Sequence, residues 1–152
     1  MTPPVLKAAE AVLDTCVYID QLQDRSPVPL DSLIAARETN HSTVAIQGLM
    51  HTVAVQAPDD PRSPAVIAAI RALIVAMPPH RIFAPDVAVL GRAALLSGIL
   101  CRSQGYVADR KLRALFLQAQ KLGFAVLTAN IDDFDLLLQL LPAARVLFYR
   151  RT

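Results

Sequence analysis

A chain of 152 residues with 54% hydrophobic and 18% charged side chains carries enough apolar surface for one well-filled domain over residues 1–152, and it excludes extended disorder. The formal net charge of +2 is too small to argue nucleic-acid binding by itself, although Arg145, Arg150 and Arg151 gather near the C-terminus as a solvated tail or a phosphate contact. The apolar runs 65–78 and 85–101 are interrupted by Arg71, Arg92 or prolines before reaching membrane-spanning length, and Met1-Thr2-Pro3-Pro4 shows no basic start or apolar signal core, so a cytoplasmic location is expected.

The first element is a short run, 10–13, that reads as a strand and stops at Asp14. Apolar residues then recur at Val17, Ile19 and Leu22, a helical repeat with Asp14 or Thr15 at its cap. Ser26-Pro27-Val28-Pro29 marks a loop before a short helix over 30–37. Residues 41–45 are compatible with a strand, and 46–55 continue with helical spacing through Ile46, Leu49, Met50 and Val53. The Pro- and Asp-rich segment 58–64 is the strongest loop signal.

After that loop, Val66, Ile67, Ile70, Leu73, Ile74 and Met77 form one apolar helix face that Pro78-Pro79 terminates. Residues 81–84 read as a strand, and Pro85-Asp86 opens a helix to about Arg102. Leu112, Leu115, Phe116, Ala119 and Leu122 predict another helix, closed by Gly123. A buried strand over 124–128, a short helix over 136–141 and a last strand over 146–149 complete the order. Helices alternating with short buried strands imply an α/β fold with a mostly parallel sheet flanked on both faces, whose ligand cleft lies beyond the carboxyl ends of the strands.

Two segments carry the chemistry. Val12-Leu13-Asp14-Thr15 and Leu127-Thr128-Ala129-Asn130-Ile131-Asp132-Asp133 each take an apolar run directly to a carboxylate, so distant acids meet at one sheet end. Cys16 and Cys101 sit in apolar helical patterns without a CxxC partner and are expected as buried free thiols. His41, His51 and His80 are scattered, with no zinc-ligand spacing. No Gly-rich phosphate loop, nucleophile elbow or triad spacing appears.

Taken together, LDTCVYID at the start, HSTVAIQGLMHT in the second segment and GFAVLTANIDDF near the end resemble the PIN domain, the nuclease fold of VapC-type toxins in bacterial toxin-antitoxin pairs. The resemblance covers essentially the whole chain. It implies an α/β/α sandwich, a Mg2+ or Mn2+ cofactor, cleavage of RNA, an antitoxin partner and a homodimer formed through apolar helices such as those after Pro64 and Pro85. Phosphodiester hydrolysis needs charge neutralised on the phosphoryl oxygens and a hydroxide made near neutral pH, and a carboxylate-held hard cation supplies both.

Mapped onto that pattern, Asp14 takes the first acidic position and Asp133 the fourth, with Asp132 as a neighbouring substitute. Thr15, Ser42, Thr128 and Asn130 provide polar support. The register set by Ser42 and Leu49 places Gly48 where the family has its second acid, with the uncharged Gln47 alongside. Counting back from Gly123 to the third position lands on Leu112, and Asp109 lies about one helical turn earlier on the same face. The resemblance therefore implies Asp14, Asp109 and Asp133 as metal ligands and catalytic acids. The alternative is a degenerate PIN fold that binds an antitoxin or RNA without cutting it.

Overall fold

The computed structural model describes residues 9–104 and 110–151, and only the backbone of 103, 104, 110 and 111. Strand β1 (Glu10–Leu13) leads into helix α1 (Thr15–Leu22). Helix α2 (Val28–Ala35), strand β2 (Glu38–Ser42), helix α3 (Thr43–Ala54) and helix α4 (Ser63–Val75) follow. A single 3₁₀ turn at Pro79–Arg81 precedes strand β3 (Ile82–Phe83). The rest of the chain forms α5 (Val87–Gln104), α6 (Arg110–Leu122), β4 (Ala125–Thr128), α7 (Ile131–Leu140) and β5 (Val146–Phe148).

The five strands form one parallel sheet in the order β3-β2-β1-β4-β5. Successive side chains on a strand point to opposite faces, and the two central strands use this to build two cores. Val12 and Val126 pack with Val89, Ala93, Leu100, Leu115, Phe116 and Phe134 from α5, α6 and α7. Leu13 and Leu127, one residue on, pack with Val17, Tyr18, Leu30, Leu49, Ile70 and Met77 from α1 to α4 and the turn that follows. The result is the expected α/β/α sandwich.

Two boundaries and the burial pattern of one helix depart most from the sequence expectation. The strand expected at 41–45 lies at Glu38–Ser42, because the Ser42 hydroxyl accepts a hydrogen bond from the Val44 amide and caps α3 there. The last helix starts at Ile131 rather than Leu136, since the Asn130 side chain caps it by accepting from the Asp133 amide. Helix α6 buries more than one stripe: Arg113 and Gln118 are buried with the apolar residues, whereas Leu122 is exposed. Its C-terminal break is as expected, with Gly123 at φ +76, a left-handed conformation natural to glycine. Cys101 is exposed and Cys16 half-buried, so neither thiol is fully buried; Cys101 lies on the outward face of α5.

Candidate active site

Strand β1 pairs with β2 on one side and with β4 on the other, so the chain changes direction across the sheet beside β1. A crevice opens beyond the carboxyl ends of strands at such a switch point. Here it is a cavity of about 350 Å³ lined by Asp14, Thr15, Cys16, Val44, Ala45, Gly48, His51, Leu112, Leu115, Asn130 and Asp133.

Asp14 forms the floor. Its backbone amide still belongs to the sheet, donating to the Leu127 carbonyl at 3.0 Å, while its carboxylate has already turned to cap α1. One carboxylate oxygen accepts from the Thr15 amide at 2.8 Å and the other from the Thr128 hydroxyl at 2.8 Å. The Cys16 thiol lies 3.6 Å from that second oxygen. A carboxylate that accepts several donors is held in one orientation and favoured in its charged form. Burial and the Asp14 charge together push the Cys16 thiol up from its ordinary pKa, which keeps it protonated.

Asp133 reaches the same cavity from the first turn of α7. Asn130 orients it twice, since its amide nitrogen donates to the Asp133 carboxylate at 2.9 Å and its oxygen accepts from the Asp133 amide. Thr128, fully buried beneath both loops, also accepts from the Asn130 amide at 3.0 Å. One hydroxyl thus links the loop after β1 to the loop after β4.

Of the residues singled out in the sequence, Asp14, Thr15, Asn130 and Asp133 line the cavity, and Thr128 supports them from below. Ser42 is turned elsewhere: besides capping α3 it donates to the Gln118 side chain at 2.5 Å, deep between β2 and α6. Gln47 lines a separate groove with Ala84, Pro85, Leu90 and Ala114. Asp132 is exposed and lies outside the residues lining the cavity. Asp109 lies outside the described residues, while Leu112, at the register position of the third acid, does line the cavity.

Gly48 faces the cavity, and the space a side chain would start from belongs to Thr15. A Cβ built on Gly48 would come within 3.1 Å of Thr15 Cγ2 and 3.2 Å of Thr15 Cβ, and closer still to Thr15 Oγ1. Helices α1 and α3 approach each other through that glycine, and the Thr15 hydroxyl donates to the Ala45 carbonyl across the gap at 3.4 Å.

Two polar lining residues carry no site role in the sequence pattern. Cys16 shows only as a thiol in an apolar helix. His51 belongs to no zinc-ligand spacing, yet it stands three residues beyond Gly48, one turn along the same helix face, and that spacing is the available signal.

Among the described residues no three His, Cys, Asp or Glu side chains come together as a metal-binding group. The two carboxylates nonetheless suit a hard cation. Mg2+ retains several waters and is commonly held by one or two carboxylates together with substrate phosphate oxygens.

The sequence matches no protein-family model and no curated protein. The fold does match solved structures of low sequence identity. A chain in the structure of VapBC2 from Rickettsia felis, bound to a DNA fragment from its promoter, is 11% identical, with a TM-score of 0.64 over 92% of this chain and 98% of that one. DNA-bound VapBC from Salmonella typhimurium matches at 15% identity and a TM-score of 0.66, covering 92% of this chain and 98% of that one. VapBC-5 from Mycobacterium tuberculosis, a member of the VapBC family of toxin-antitoxin systems, matches at 21% identity and a TM-score of 0.59, covering 93% and 98%. The chain therefore has the PIN-like fold expected from its sequence, over nearly its whole length.

Proposed function

We propose that this chain is a metal-dependent ribonuclease of the VapC type, the toxin half of a toxin-antitoxin pair. The observation that carries the reading is the convergence of Asp14 and Asp133 on one cavity at the switch point of the sheet, in a fold shared with VapBC structures. Asp14, Asp133 and, beyond the described residues, Asp109 would hold Mg2+ or Mn2+. When bound, such an ion neutralises phosphoryl charge and acidifies water. Thr128 and Asn130 keep the two carboxylates oriented, and Leu112 and Leu115 give the cleft an apolar wall that limits water around the reacting phosphate.

The partner would be an antitoxin encoded alongside. Apolar side chains exposed on α4 and α5, including Val66, Val75, Val87, Leu90, Leu95 and Ile99, support contact with protein, either that antitoxin or a second copy of the chain. No helix among the described residues is long and apolar enough to cross a membrane.

One observation favours a second reading, in which the fold binds its partner or RNA without cutting. Gly48 offers no ligand, and Thr15 occupies the space from which one would project. Incubating a mixed-sequence RNA with the protein in Mn2+ or Mg2+ separates the two. The nuclease reading expects cleavage that needs the metal and falls by at least roughly a hundredfold in Asp14→Asn, in line with loss of a group that acts directly on the reaction. Absence of metal-dependent cleavage in the folded protein would leave the non-cutting reading in its place, and cleavage untouched by the substitution would show that Asp14 does not carry it.

A further inference from the structure

The absence of a side chain at Gly48 leaves the cleft without the carboxylate that the family pattern would place there. The next residue to face the cleft from the same helix surface is His51, exposed and lining the cavity with Asp14 and Asp133. The other described polar groups of the lining are carboxylates, the Asn130 amide, the Thr15 hydroxyl and the Cys16 thiol. His51 is the described lining residue that brings an imidazole, the side chain most often used to move a proton in catalysis.

Its placement sets it on a different wall from Asp133. Helix α3 packs against α1 and α6, whereas α7 packs against α6 and β5, so His51 and Asp133 enter the cleft from different walls. In an in-line displacement the attacking and departing oxygens lie on opposite sides of the phosphorus. Acids on the floor and one wall, with an imidazole on another wall, match that division.

We propose that His51 is the proton donor to the departing oxygen, an inference that rests on the nuclease reading above. The oxygen of a water forms the new bond to phosphorus, and its proton leaves to solvent. The bond from phosphorus to the bridging oxygen breaks, its electron pair stays on that oxygen, and the His51 imidazolium proton passes to it. The imidazole regains a proton from solvent. The described titratable groups that line the cavity with His51 are Asp14 at the cap of α1, Cys16 on α1 and Asp133 on α7, while the described lining residues of α6, Leu112 and Leu115, carry no charge. A donor must be protonated to act, so His51 would impose a fall in kcat on the alkaline side.

The test compares the wild type with His51→Gln and His51→Asn in Mn2+, on an oligoribonucleotide and on the same oligonucleotide carrying sulfur at the departing bridging position. A thiolate leaves without needing a proton, whereas removal of a general acid costs an oxygen leaving group on the order of 10²–10⁴-fold. Both variants are expected to lose that much kcat on the oxygen substrate, to lose the alkaline limb, and to stay within about tenfold of wild type on the sulfur substrate. Equal losses on both substrates, or no loss on either, would overturn the assignment. A wild type that cuts neither substrate would remove the nuclease reading and this inference with it. A wild type that cuts while both variants match it would remove the inference alone.

Discussion

Thr15 and Gly48 are a matched pair. The β-branched side chain of Thr15 at the start of α1 fills the place that a side chain on α3 would need, and the glycine lets the two helices close around it. Returning the acid the family pattern calls for is therefore a packing problem before it is a catalytic one. Gly48→Glu alone should lower the unfolding free energy by about 1–3 kcal/mol, as overpacking of a fitted contact does, and Thr15→Ala in the same chain should recover most of that. Urea unfolding of the two variants checks this; a single variant as stable as the wild type would show that the contact yields freely. Asp14, Asn130 and Asp133 were legible in the sequence because a strand end fixes where the next residue goes. His51 and Cys16 were not, since their exposure to the cleft depends on how α1 and α3 rotate against each other.

Between elements, the joint of α1 and β2 contains a pH-sensitive contact. The Tyr18 hydroxyl and His41 Nδ1 lie 2.5 Å apart, and the tyrosine is buried. Burial holds the His41 pKa below its ordinary value and pushes that of Tyr18 up, so the neutral forms of both belong to the fold. With the folded-state pKa of His41 depressed, the unfolded chain binds its proton more readily. The stability this group contributes is complete above its unfolded pKa of roughly 6.5 and falls as the pH drops toward the folded-state value. Denaturant titrations at pH 7.5 and pH 5 should show a loss of stability on acidification that is smaller in His41→Gln; an equal loss in both chains would place the acid sensitivity elsewhere. At this scale helix periodicity located every long helix, but not the start of α3 or α7. Those ends are set by the Ser42 and Asn130 side-chain caps, which override the apolar repeat by a few residues.

In the molecule as a whole, two stacked cores clamp the central strands, and the chain crosses from one side of β1 to the other between β3 and β4. That crossing makes the cleft, and it explains why the sheet and its open end could be anticipated from alternating strands and helices. The shortage of carboxylates there was legible in Gly48 and in the displaced Asp109, which lies outside the described residues; what the sequence did not show is that Thr15 fills the space above that glycine. Among the C-terminal arginines, Arg151 pairs with the buried Asp20 on α1 at 2.8 Å, tying the segment after β5 to the helix that Asp14 caps. On the proposed function, Asp14 and Asp133 hold one cation in one cleft. Calorimetric titration of Mn2+ into the wild type, Asp14→Asn and Asp133→Asn is the sharpest check of that arrangement. A single site is expected, one ion per chain, weakened at least about tenfold, or about 1.4 kcal/mol, in either variant while the fold is retained. Absence of binding in the wild type up to millimolar Mn2+, or binding that both substitutions leave unchanged, would contradict it.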